Sequence, residues 1–220
     1  MKRILFWTPF TIMALVLALM ALHPGEAMAK PRMAALTPTP FPESATYVID
    51  EMHTGVYFDI RHLGLSNTTG CFKKFKGTVI EDPKDLTKSS VEFAAEIDSI
   101  DTAVPARDAH LKTADFFDAA KYPTVRFIST SVEKRGEGYV VHGDLTIKDK
   151  AKRISIPFKH YGPLTLTVGD NSTRIGVIAE PIVIKRSDFG VGGDFKLPGG
   201  VEGASDNVTV RISFEGILKK

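Results

Sequence analysis

Apolar and polar residues alternate with a period of two over five separate stretches of this chain. Thr54, Val56, Phe58 and Ile60 alternate with Gly55, Tyr57, Asp59 and Arg61. Val91, Phe93, Ala95 and Ile97 alternate with Glu92, Ala94, Glu96 and Asp98. Tyr139, Val141, Gly143, Leu145 and Ile147 alternate with Val140, His142, Asp144 and Thr146. Ile154, Ile156 and Phe158 alternate with Arg153, Ser155 and Lys159, and Val208, Val210, Ile212 and Phe214 with Thr209, Arg211, Ser213 and Glu215. Successive strand side chains point to opposite faces, so each stretch is a strand with one apolar and one wet face. Residues 72–80 and 174–184 read as less regular strands. Turn residues separate the runs at Asp82-Pro83, Gly136-Glu137-Gly138, Lys148-Asp149-Lys150 and Gly169-Asp170-Asn171.

Seven or more such strands must bury their apolar faces in one core, which a sandwich or a barrel achieves. Gly70 and Gly77 suit the bends of a small barrel. An outer-membrane barrel is a poor fit, because the outward faces carry Glu92, Glu96, Asp98, Arg211 and Glu215, which lipid does not tolerate. No stable membrane insertion of the domain is expected.

One helical interruption is expected, over residues 103–119. Pro105 suits a first helical turn, where its missing N–H needs no partner. Arg107, Asp108 and His110 fall close together before Leu111. Thr113 reads as the N-cap of a second short turn that carries Phe116 and Phe117, and Tyr122-Pro123 stops any helix.

The N-terminus reads as a targeting segment. Lys2-Arg3 precede an uncharged run to Leu22, Pro24-Gly25 break the helix, and Ala27-Met28-Ala29 has the small-x-small form of a cleavage site. Residues 1–29 are therefore expected to be a cleaved signal peptide, with export to the periplasm. Residues 30–45, with Pro31, Pro38, Pro40 and Pro42, read as an extended linker, and 46–220 as the domain. A net charge of +2 with both signs interspersed gives no footprint for nucleic acid. The single cysteine, Cys71, has no intramolecular partner, so it stays free or bridges two chains, and a homodimer stands among the expected partners.

Little in the sequence points to catalysis. His53, His62, His110, His142 and His160 show no metal-ligand spacing, and no Gly-x-Ser-x-Gly elbow is present. Cys71 as a nucleophile would need an adjacent base, and Lys73-Lys74 could only lower its pKa, so a free, inert or mildly oxidisable thiol is expected. No catalytic residue, metal or resident cofactor is expected.

Several blocks carry a family resemblance. Tyr47-x-Ile49-Asp50-x-x-His53-Thr54-x-Val56-x-Phe58-x-x-Arg61-His62-Leu63-Gly64 and Gly70-x-Phe72-x-x-Phe75-x-Gly77 resemble the opening of the YceI family. Arg107-Asp108-x-His110-Leu111-x-x-x-Asp115-Phe116-Phe117-Asp118, followed by Tyr122-Pro123-x-x-x-Phe127-x-Ser129-Thr130, is the most specific block. Gly143-x-Leu145-Thr146-Ile147 and Arg186-Ser187-Asp188-Phe189-Gly190-Val191 complete it. Departures fall at Tyr47, at the charged turn Lys148-Asp149-Lys150 and at Cys71.

The resemblance implies an all-β, lipocalin-like, eight-stranded antiparallel barrel. It also implies an interior that holds a long isoprenoid chain, a quinone tail or a similar fatty amphiphile. The expected cavity lining is Val56, Phe58, Ile60, Phe75, Val91, Phe93, Ala95, Ile97, Phe116, Phe127, Val141, Gly143, Leu145, Ile156, Phe158, Val210 and Ile212. Arg107, Asp108 and His110 either pin the helix or meet a polar head at the mouth. Ala95 and Gly143 are the small inward positions, where added bulk is expected to exclude ligand and spare stability. The alternatives are a periplasmic enzyme or redox accessory acting on an isoprenoid quinone, and a stress-response factor with a filled core.

Overall fold

The computed structural model describes residues 44–194 and 196–220. The signal-peptide expectation lies outside the described residues. So does the proline-rich stretch apart from its last two positions, and Ala45 already opens the first strand.

The strands, in chain order, are β1 (Ala45–Ile49), β2 (Gly55–His62), β3 (Ser66–Phe72), β4 (Phe75–Glu81), β5 (Ser90–Glu96) and β6 (Ile100–Asp101). After the helix α1 (Pro105–Leu111) come β7 (Thr124–Arg135), β8 (Gly138–Ile147), β9 (Lys150–Thr165), β10 (Thr173–Ala179), β11 (Ile182–Lys185) and β12 (Ala204–Leu218). All pairings are antiparallel, and four pairs of short strands act as single bent ones. β1 and β2 lie end to end along β12, through Leu218 to Gly216 and Ser213 to Ala204 respectively. β4 and β3 follow along β1 and β2, and β5 and β6 along β4 and β3. β10 and β11 share the other edge of β12. With β7, β8 and β9 this makes eight bent strands in chain order, closed where β12 meets β1. Closure joins the two ends of the sheet, while residues 66–70 of β3 and all of β11 remain paired on one side only.

The breaks have local causes. Asp50 Oδ1 accepts from the Met52 amide at 3.0 Å and turns the chain between β1 and β2. Pro181 has no N–H to donate and separates β10 from β11. The run 72–80 is cut at Lys73-Lys74 and belongs to two strands. β7 was not legible as a strand. It carries Val125 and Phe127 inward, but a bulge between Ser129 and Ser131 shifts the phase before Val132.

The helical insertion is shorter than expected. Pro105 occupies the first turn of α1, and the helix ends at Leu111. The Thr113 hydroxyl does not cap a second helix; it donates to the His110 carbonyl at 2.8 Å and finishes the first. Hydrogen-bonded turns then run to Tyr122, including Phe117 N to Leu111 O at 3.1 Å, and bring Phe116 and Phe117 onto the barrel. Lys148 fastens this segment, its Nζ donating to the carbonyls of Phe116 and Gly190 at 3.0 Å each.

Arg174 on β10 ties the β1–β2 turn to β12. Its Nη1 donates to Asp50 at 2.6 Å and to Glu215 at 3.0 Å, and its Nη2 to Asp170 at 2.9 Å. Hydrogen bonds from the Ser172 side chain and then from Arg174 hold the Asp170 carboxyl down from 3.8 to about 2. A depressed carboxyl stabilises the fold above its unfolded pKa, and that contribution is lost as pH falls through the folded value. This part of the stability is therefore expected to be intact above about pH 4 and to disappear toward about pH 2. Acid titration of Arg174→Met against the parent checks it, the variant being expected to show a shallower acid-induced loss of stability over that window.

An apolar cavity in the barrel

The inward faces do not meet in the middle. They enclose an open-mouthed cavity of about 460 Å³ whose wall is apolar almost throughout. That volume lies within the roughly 300–1,000 Å³ of small-molecule sites. Period-two alternation places the wall. Val56, Phe58 and Ile60 enter from β2, Val91, Phe93 and Ala95 from β5, and Phe127 from β7. Val141 and Leu145 enter from β8, Ile156 and Phe158 from β9, Val210 and Ile212 from β12, and Phe116 from the turn after α1.

Three expected wall residues lie elsewhere. Phe75 is 3% exposed and stacks on Phe93, ring centres 5.6 Å apart, in a packed cluster with Tyr47 and Ile175. Ile97 is 1% exposed in the 3-10 turn after β5, where the strand's alternation has ended. Gly143 faces inward but leaves no free space. A Cβ there would stand 2.5 Å from Cζ of Phe127 and closer still to the Ile128 carbonyl, so the Phe127 ring occupies the room a side chain would take.

Residues missed at the sequence level also line the wall, among them Phe72, Phe117, Val177, Ala179, Ile182 and Ile184. Ile182 and Ile184 fall in the run broken by Pro181, which hid their parity. The polar members Glu81 and His160 were legible by parity alone. Glu81 follows Phe75, Gly77 and Val79, and His160 follows Ile154, Ile156 and Phe158, each at intervals of two.

Beside the helix, Arg107 and His110 border the cavity and Asp108 does not. The three serve mainly to hold the helix. Asp108 Oδ1 accepts from the Thr102 amide at 2.9 Å and hydroxyl at 2.5 Å. Arg107 donates through Nε to the Thr102 hydroxyl at 2.8 Å and through Nη2 to its carbonyl at 2.7 Å. The His110 ring stands edge-on to Phe116, 4.9 Å between centres. Thr102 is buried, so Asp108→Ala leaves its N–H without an acceptor. A loss of about 1–3 kcal/mol of folding stability is expected in chemical denaturation.

Cys71 is a free thiol, and only the direction expected from its lysine neighbours is overturned. Burial, and after it the Asp101 carboxylate, push the thiol pKa up, and Lys73 only partly offsets them. Lys73 itself is paired with Asp101, so its charge is largely spoken for. The thiol is held away from its reactive form. Cys71→Ser is expected to change lipid affinity by less than about tenfold, 1.4 kcal/mol, in a binding titration. Asp50, His53 and Glu215 also converge, but the Arg174 guanidinium already bonds both carboxylates.

Comparison with known proteins agrees with this architecture. The YceI-like domain model matches residues 47–216. Protein YceI of Escherichia coli is 37% identical over 182 residues, covering 80% of this chain and 89% of that protein. The YceI protein of Campylobacter jejuni, known as a crystal structure, superposes with a TM-score of 0.62 at 30% identity, over 73% of this chain and 91% of that one. A polyisoprenoid binding domain from Saccharophagus degradans shares the fold, with a TM-score of 0.55 at 14% identity over 80% of this chain and 99% of that one. A barrel of eight bent strands around an apolar cavity, matched over the span of the domain, shows that this chain belongs to the YceI family.

Proposed function

We propose that this protein is a carrier that holds a long-chain isoprenoid, or a similar amphiphilic lipid, inside its barrel. The observation that carries the reading is the cavity of about 460 Å³ with an apolar wall. Each buried methylene of a ligand contributes about 0.8 kcal/mol by leaving water, so a long chain binds with few polar contacts. The polyisoprenoid binding domain that shares the fold supports the choice of chemistry. A filled core is disfavoured by the cavity itself. His110, in the helix, packs edge-on to Phe116.

The protein is proposed to work in the periplasm after cleavage behind Ala29, on the strength of the Ala27-Met28-Ala29 pattern. Intact-mass measurement of the periplasmic fraction tests this. A chain starting at Lys30 is expected, and the full-length mass in the membrane fraction would defeat it. Binding is tested by incubating lipid-extracted protein with geranylgeraniol and separating free from bound by gel filtration. Co-elution near one lipid per chain is expected, and its absence defeats the carrier reading.

A further inference from the structure

In a wall that is apolar over most of its area, one acid and one imidazole stand together. We propose that Glu81 and His160 form a head-group subsite at the end of the cavity away from α1, taking a neutral hydrogen-bond donor, a hydroxyl or N–H, borne by a long apolar chain. The inference rests on the carrier reading and assigns which end of the ligand goes where.

Glu81 closes β4 and is 1% exposed. Its Oε2 meets Nε2 of His160 on β9 at 2.9 Å. Its second oxygen, Oε1, has no hydrogen-bond partner among the described residues, nor has Nδ1 of His160. Oε1 opens on the cavity rather than being sealed from it, and the neighbouring Tyr47 hydroxyl, buried without a hydrogen-bond partner, donates to neither Glu81 oxygen, so a ligand donor at Oε1 gains a hydrogen bond. As a carboxylate, Glu81 only accepts, so it selects an O–H or N–H over an ether. A phosphate or carboxylate head brings acceptors where the free Glu81 oxygen needs a donor.

The position lies away from α1. The α1 segment meets the barrel at Phe72, through Phe117, and at Lys148, through the Phe116 carbonyl. Glu81 lies nine residues beyond Phe72 in the chain and His160 twelve beyond Lys148, on the order of 30 Å of strand. Beyond the pair is a second cavity of about 300 Å³, bordered by Lys84, Asp85, Lys134 and Tyr139. Glu81, Leu86 and His160 line both spaces and so form the partition between an apolar chamber and a polar one.

The end beside α1 offers less free hydrogen-bonding capacity. Arg107 is committed to Thr102. Arg186 donates to the carbonyls of Ser205, Val191, Gly193 and Ala204, which fastens both ends of the segment between β11 and β12. The free acceptor capacity lies at the opposite end.

The test uses lipid-extracted protein and three probes of equal chain length: geranylgeraniol, its methyl ether and geranylgeranoic acid. The alcohol is expected to bind at least about tenfold tighter than either of the others, 1.4 kcal/mol or more. Glu81→Gln keeps an oxygen for His160 and presents N–H where the carboxylate presented a lone pair. In that variant the acid is expected to come within about threefold of the alcohol. Equal affinity of the wild type for all three probes overturns the subsite and leaves the carrier reading standing. Failure of all three to bind overturns both. Should Glu81→Gln not fold, the wild-type series alone decides.

Discussion

Gly143→Leu is expected to lower folding stability by about 3 kcal/mol, the upper end of what overpacking costs. Its site is filled before any side chain is added. The Phe127 ring lies where the Cβ would go, and the Ile128 carbonyl of the paired strand blocks the other direction. Relief requires Phe127, itself only 8% exposed, to leave its rotamer or β7 to part from β8. For a domain of this size the change corresponds to a fall in Tm of about 5–10 °C. Calorimetry of lipid-free protein measures it. A variant that melts with the parent would show that the ring yields easily and that the cavity extends to β8 at this level.

Val210→Trp is expected to do the reverse. Val210 is half-buried, lines the cavity and sits in register with Phe58 on one side and Ile182 on the other. The larger ring projects into space that holds no protein atoms. Folding stability of the lipid-free form is expected to stay within about 1 kcal/mol, below the usual cost of overpacking a filled core. Affinity for geranylgeraniol is expected to fall by at least about tenfold. Both chains must be lipid-free for the stability comparison, because bound ligand raises apparent stability by mass action. A variant that unfolds, with no lipid recovered from the parent, would return the interior to a filled core. Ala95 is a less clean position. It borders the cavity but is 2% exposed and belongs to the packed cluster of Tyr47 and Phe75.

The contrast between these positions shows how far the sequence could be read. Parity along a strand tells which face a residue occupies, and it placed Val56, Phe93, Val141 and Val210 on the inner face. It does not tell whether that face meets a void or another side chain, so Gly143 and Val210 looked alike. The difference arises from Phe127, whose strand was hidden because a bulge at Ser129 breaks its alternation. The break at Pro181 had a similar effect on Ile182 and Ile184. Glu81 and His160 had the right parity but the wrong polarity for a wall, and only pairing across the barrel shows why both face inward. The helix was legible from Pro105, and its end was not. Thr113 suits either side of a turn, and the His110 carbonyl at the helix end, which takes both its amide and its hydroxyl, decided which.

The account stands on whether the cavity holds a lipid. Native mass spectrometry of the chain, purified from its own host without detergent and measured before and after organic extraction, tests this most directly. The account predicts a bound species that adds the mass of one long-chain lipid, is lost on extraction and is recovered in the organic phase. Unliganded mass alone in repeated preparations, with no lipid in the extract and no uptake of geranylgeraniol afterwards, would contradict it.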